Sequence, residues 1–192
     1  MKYTLSILTL CGFLLTASGQ NTGMKVNSGI YSVNGPVFET GFGVYVVLND
    51  FSDKVEVLFS FDYNKAEISR EDFISNCERF YFTAAGLYVF PVTEKLKFKP
   101  GLAISHENMR AIEGGDPSNW VSTYYAKHLG IGLMTNLQFQ RIFKLPLNFD
   151  IFLTPTYLVN INVDNYPTRT NETYSTDLFV LNFQLGLAYV VK

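Results

Sequence analysis

After Gly23 one regularity dominates the chain: apolar and polar residues alternate at every second position. Successive side chains of a β-strand point to opposite faces, so a period of two specifies strands with one apolar and one polar face. The pattern is clearest near the C-terminal end. There Phe179, Leu181, Phe183, Leu185, Leu187, Tyr189 and Val191 alternate with Asn182, Gln184, Gly186, Ala188 and Val190. It recurs upstream, with Leu147, Phe149, Ile151, Leu153, Tyr157, Val159 and Ile161 set against Asn148, Asp150, Thr154, Thr156, Asn160 and Asn162. Leu129, Ile131, Leu133, Leu137 and Phe139 oppose His128, Gly130, Gly132, Asn136, Gln138 and Gln140. Leu96, Phe98, Leu102 and Ile104 oppose Lys97, Lys99, Gly101, Ala103 and Ser105. Val55, Val57, Phe59, Phe61 and Tyr63 oppose Glu56, Ser60, Asp62 and Asn64, and Phe42, Val44, Val46 and Leu48 oppose Glu39, Gly41, Gly43, Tyr45 and Asn49. Two further segments, about 25–33 and 80–90, read as strands whose phase the residues do not reveal.

Eight strands of this kind predict an all-β fold, an antiparallel eight-stranded up-and-down barrel. The connections alternate in length. Asn49–Asp53, Pro91–Lys95 and Arg141–Lys144 read as short turns, whereas 64–79, 107–122 and 162–176 read as longer polar loops. Only the connection at Asn34-Gly35-Pro36 is short on the long-loop side. Short turns on one rim and long loops on the other are the plan of outer-membrane barrels, and an even strand count puts both termini on the short-turn, periplasmic side. Within 64–79, Ile68, Phe73 and Ile74 have a spacing that suits a short amphipathic helix.

A soluble barrel of similar size would turn its apolar set inward. Here the polar phase is Asn, Gln, Thr and Gly rather than the Lys and Glu of a soluble exterior, which suits a narrow bore. Aromatics on the apolar phase gather at strand ends, with Tyr63, Tyr125, Tyr157 and Phe179 toward the long loops and Phe98, Phe139 and Tyr189 toward the turns. Apart from Phe59 and Phe183, mainly aliphatic residues fill the middle, the layout of two interfacial girdles around a lipid-facing band. Composition agrees. Of 192 residues 16% are aromatic and 17% charged, the latter below the roughly 25% of an average soluble domain. The mean hydropathy of +0.10 is too low for a helical membrane protein. A net charge of −2 without a Lys/Arg cluster gives no nucleic-acid signal.

Met1-Lys2, an uncharged apolar run to Thr16 and Ala17-Ser18-Gly19 read as a signal peptide over 1–19 that is cleaved to leave a single barrel domain over 20–192. Cleavage would remove Cys11 and leave Cys77 as the lone cysteine, so no intrachain disulfide is expected. Gln184-Leu185-Gly186-Leu187-Ala188-Tyr189-Val190-Val191 resembles the outer-membrane β-signal, with Gln184, Gly186, Tyr189 and Val191 at its polar, glycine and hydrophobic positions. It departs from that signal in ending at Lys192 rather than an aromatic. The mature chain as a whole resembles the small porin-like and OmpA-type barrels. That resemblance implies recognition by the barrel-assembly machinery and residence in the bacterial outer membrane among its lipids.

The chemistry within the chain is sparse. Glu39, Glu56, Asp62, Lys97, Lys99, His128 and Asp150 fall on the interior phase and predict a buried polar network. Ser105 and His106 are adjacent, so on a strand they face opposite sides and cannot form a nucleophile–base pair. No metal-ligand cluster and no cofactor motif is present. The loops remain as interaction surface, with Trp120, Tyr166 and Tyr174 as contact candidates. The expectation is a non-enzymatic structural or accessory subunit, in contact with another outer-membrane complex through its loops or outer wall. A narrow channel for ions or very small solutes and a lipid-modifying enzyme are the alternatives.

Overall fold

A computed structural model describes residues 20–32, 36–70, 73–115, 120–142, 145–165 and 178–190. Eight long strands run β1 (Gln20–Ser32), β2 (Pro36–Ser52), β3 (Val55–Arg70), β4 (Phe73–Tyr88), β5 (Leu96–Gly115), β6 (Trp120–Phe139), β7 (Leu147–Asn165) and β8 (Leu178–Val190). Each pairs antiparallel with the next, and β8 pairs back onto β1, so the sheet closes. Phe90–Pro91 continues the β4 ladder onto β5 past an irregularity at Val89. The predicted eight-stranded up-and-down barrel is the observed architecture.

The register sets the bore. A walk across the ladders passes from Asn21 to Val47, Leu58, Ala85, Ala103, Gly132, Thr156 and Val180, and re-enters β1 at Tyr31, ten residues beyond its start. With about 3.3 Å per residue and about 4.8 Å between strands, eight strands and that stagger give a strand tilt of roughly 41° and a backbone radius of roughly 8 Å. A bore this narrow is filled by the inward side chains alone.

Where burial is described, the strand phases read from the sequence are the phases observed, although Val46 on the outer phase of β2 is buried. Met24, Val44, Leu102, Ile104, Ile131, Leu133, Leu153 and Leu187 face out and are exposed. Inward positions hold Lys25, Glu39, Asp62, Arg79, Lys99, Glu107 and Asp150, all buried. This inside-out distribution excludes a soluble barrel of the lipocalin kind. The two unread phases now have physical explanations. In β4 Cys77, Tyr81, Ala85 and Leu87 face in while Phe80 and Phe82 face out, so both faces are apolar. In β1 only Gly23, Lys25, Asn27 and Gly29 mark the inner face, and two of the four are glycines, too few polar residues to set a phase.

The long loops are where the sequence reading is corrected. β3 and β4 stay paired as far as Arg70↔Phe73, and β5 and β6 as far as Gly115↔Trp120. Most of 64–79 and 107–122 is therefore strand, the helix expected from Ile68, Phe73 and Ile74 is a hairpin, and Trp120 opens β6 rather than lying in a loop. Beyond the lipid band both faces of a sheet meet polar surroundings, so the alternation that identifies strands fades while the hydrogen-bond ladder continues. The β2–β3 ladder stops at Glu39↔Ala66, four residues short of the end of β3, so the rim is uneven. A tall wall built from β3 to β7 stands beside a low one built from β8, β1 and β2. Of the 162–176 loop reading, 162–165 is strand, because β7 runs to Asn165, and the remainder lies outside the described residues.

Candidate functional site

The lumen is layered, and single strands show the order. Up β3 the inward residues are Glu56, Leu58, Ser60, Asp62, Asn64 and Ala66; up β7 they are Asp150, Phe152, Thr154, Thr156 and Leu158. Both read charge, apolar, polar, then apolar again. β5 repeats the order with Lys99, Ala103, Ser105, Glu107 and Met109.

At the short-turn end Lys99 Nζ donates to Glu56 Oε2 at 2.6 Å and to Gln138 Oε1 at 2.9 Å. Asp150 accepts from three neutral donors: Tyr45 Oη at 2.6 Å, Gln138 Nε2 at 3.0 Å and Asn136 Nδ2 at 3.1 Å. Below this layer a basin of about 420 Å³ opens, lined by Lys95, Lys97, Glu94, Gln140 and Arg141 among others. Lys97 is half-buried there, at the mouth rather than in the network.

Above the lower layer Tyr45, Leu58, Leu87, Met134 and Phe152 pack with smaller residues as one buried apolar cluster. Tyr45 meets Phe152 edge-on at 5.2 Å between centroids. Its ring lies where β1 and β8 carry glycine. A Cβ on Gly23 would stand 2.5 Å from the ring, and one on Gly186 2.8 Å from its hydroxyl. Only hydrogen at those two positions leaves the slot.

The next layers form one connected network. Lys25 Nζ lies 3.0 Å from Asp62 Oδ2 and donates to Gln184 Oε1 at 2.8 Å. Asn27 Nδ2 donates to Asp62 Oδ1 and Asn64 Oδ1, and Asn64 Nδ2 donates to Glu39 Oε1 at 3.0 Å. Arg79 joins two carboxylates, donating from Nη1 to Glu39 Oε2 at 3.0 Å and from Nε to Glu107 Oε1. His128 Nδ1 lies 3.0 Å from Glu107 Oε2, off the line of a good hydrogen bond. Over this layer Val37, Ala66, Cys77, Met109, Ala126, Leu158, Leu178 and Val180 make a second apolar cluster, and Tyr81 joins it from below. The charged compartment is thus sealed above and below by apolar side chains.

Of the interior residues predicted from sequence, Glu39, Glu56, Asp62, Lys99, His128 and Asp150 are buried in these layers. They belong to two networks rather than one. Sequence reasoning misses Lys25, Arg79 and Glu107. Lys25 lies on a strand of unread phase, and Arg79 and Glu107 fall at the ends of stretches that read as loops. The signal that could find Arg79 is charge balance, because the predicted set holds no cation for Glu39. In the C-terminal motif Gln184 is buried against Lys25, Gly186 backs the Tyr45 slot and Tyr189 faces outward. Val191, Tyr166, Tyr174 and the segment 1–19 lie outside the described residues. Ser105 Oγ pairs with Thr83 Oγ1 at 3.1 Å inside the bore, while His106 faces outward beside Asn108.

No family model matches this chain, and no curated protein matches it. Solved structures do. Neisserial surface protein A superposes with a TM-score of 0.61 at 13% identity, over 90% of this chain and 97% of that one. A major outer membrane protein of Thermus thermophilus gives 0.59 at 14% identity, over 88% and 98%. Ail, the attachment invasion locus protein of Yersinia pestis, gives 0.52 at 16% identity, over 90% and 99%. At such identities the likeness is one of fold: this is the closed barrel of small bacterial outer-membrane proteins.

Proposed function

We propose that this chain is an integral outer-membrane protein, with both termini periplasmic, that works without catalysis as a structural or accessory subunit. The tall wall from β3 to β7 and the loops above it would meet its partner, a component of another outer-membrane complex. The carrying observation is the sealed lumen. A conducting bore needs a continuous wettable path, and two apolar clusters interrupt this one. Catalysis has little support, since Ser105 and His106 stand on opposite faces of β5 and His128 lies beside a carboxylate that Arg79 already engages. Biogenesis through the barrel-assembly machinery follows from the C-terminal motif.

The test is electrical. Refolded protein in a planar bilayer should show no discrete conductance. Stable unitary steps would instead support the narrow channel. Affinity purification from mild-detergent membranes should then recover a stoichiometric partner, and a protein that runs alone would count against the accessory role.

A further inference from the structure

On the outer wall, at the low end of the uneven rim, lies a groove of about 580 Å³. Phe38 and Thr40 of β2 line it on one side, Lys65 and Glu67 of β3 run along it, and Asn76 and Glu78 of β4 close the other side. Its height is set by the ladder. Phe42, Tyr63 and Phe80 form an aromatic row, with centroids 5.6 Å and 4.9 Å apart. Two residues further up the same strands stand Thr40, Lys65 and Glu78, where the lipid band gives way to charge. Phe38 is two residues beyond Thr40, yet it is 71% exposed. Toward β1 its ladder neighbour is Ile30, so the ring stands where the apolar outer face of β1 meets the charged row of β3 and β4.

The polar groups around that ring are matched in charge. Lys65 lies 3.4 Å from Glu78, and Arg110 3.6 Å from the other oxygen of the same carboxylate. Glu67 offsets the second cation, so no excess positive charge is available to hold phosphate. What remains is a flat apolar ring bordered by carboxylate, amide, hydroxyl and ammonium groups. Those groups donate to and accept from neutral hydroxyls, and the ring matches the C–H face of a pyranose. Among the described residues, the outer face of β7 and β8, where Tyr157, Val159 and Phe179 are exposed, offers no such mixture.

We infer that this groove binds the saccharide headgroup of an outer-leaflet glycolipid, with Phe38 as the stacking platform and Glu67, Asn76 and Thr40 as hydroxyl partners. The inference rests on the membrane reading above, because the aromatic row beneath the groove places acyl chains against Phe42, Tyr63 and Phe80 and the headgroup at Phe38. The test uses the full barrel in nanodiscs of phosphatidylethanolamine and phosphatidylglycerol, with and without lipooligosaccharide. Native mass spectrometry reads lipooligosaccharide retention, and heat-modifiable gel mobility reads folding separately. Phe38→Ala should fold and retain lipooligosaccharide at least ten-fold less well, Phe38→Trp should restore it, and Glu67→Gln with Asn76→Ala should weaken it further. Retention by Phe38→Ala equal to the parent would overturn the site. Equal binding of the deacylated saccharide in solution would move the ligand from membrane glycolipid to soluble glycan, which also overturns the assignment. A parent chain that fails to insert at all would overturn the membrane reading and this inference together.

Discussion

The two charged layers of the lumen solve the same problem in different ways. In the upper layer Glu39 and Glu107 share one guanidinium, and every member is fully enclosed. In the lower layer Glu56 has its own ammonium, while Asp150 is held by a phenol and two amides. The upper arrangement concentrates compensation in a single planar side chain with donors spaced for two carboxylates. The lower spreads it over several neutral groups next to an open basin. The upper layer should therefore fail all at once and the lower one piecemeal.

The largest expected effect is that of Arg79→Met. It leaves two carboxylates buried without their cation and should cost about 3–5 kcal/mol, the range for breaking a buried ion pair. Urea unfolding in lipid vesicles would measure it. Arg79→Lys should recover only a minor part, since one ammonium cannot reproduce the paired geometry, and full recovery by Lys would erase the contrast between the layers. Lys99→Met should cost less, about 2 kcal/mol, because Glu56 borders the basin and can regain water. A loss as large as that of Arg79→Met would mean that the lower layer is as dry as the upper. Tyr45→Phe is the mildest. It removes one donor from Asp150 but keeps the ring in its glycine slot, so about 1 kcal/mol is expected by the same unfolding measurement.

The same comparison explains what is legible in the sequence. Glu56, Lys99 and Asp150 lie on strands that cross the lipid band with clean alternation, so their inward direction can be read residue by residue. Arg79 and Glu107 lie where alternation fails. On β4 the inner face carries Tyr81, Ala85 and Leu87 beside outward Phe80 and Phe82, so hydropathy cannot separate the faces. On β5 the residues past Ile104 are His106, Asn108 and Arg110 outside, against Ser105, Glu107 and Met109 inside. Apart from Met109 both faces are polar there, and the strand reads as a loop. The barrel itself is legible because lipid imposes one rule on the outer face of every strand. The pairing of charges across the bore is not, since Arg79 meets Glu39 only through a ladder register that no local pattern encodes. The groove at Phe38 is hidden for a similar reason, because three strands contribute to it and none contributes a motif.

The closure of β8 onto β1 has a consequence in time. All other neighbouring strands are consecutive in the chain, but Lys25 and Gln184, which bond across this seam, are 159 residues apart. Against a ten-residue hairpin, that separation is about four doublings of loop length, or roughly 2.5 kcal/mol more closure entropy. The seam is therefore the last ladder expected to form, and until then β1 and β8 each present a free edge to any other chain. The side chains bearing on it, Lys25 against Gln184 and the Tyr45 ring over Gly23 and Gly186, act as a clasp that engages only when the two ends of the barrel meet. A nascent chain lacking its final strand would carry every other hairpin and still be an open ribbon, so the quality check on this molecule is the arrival of β8.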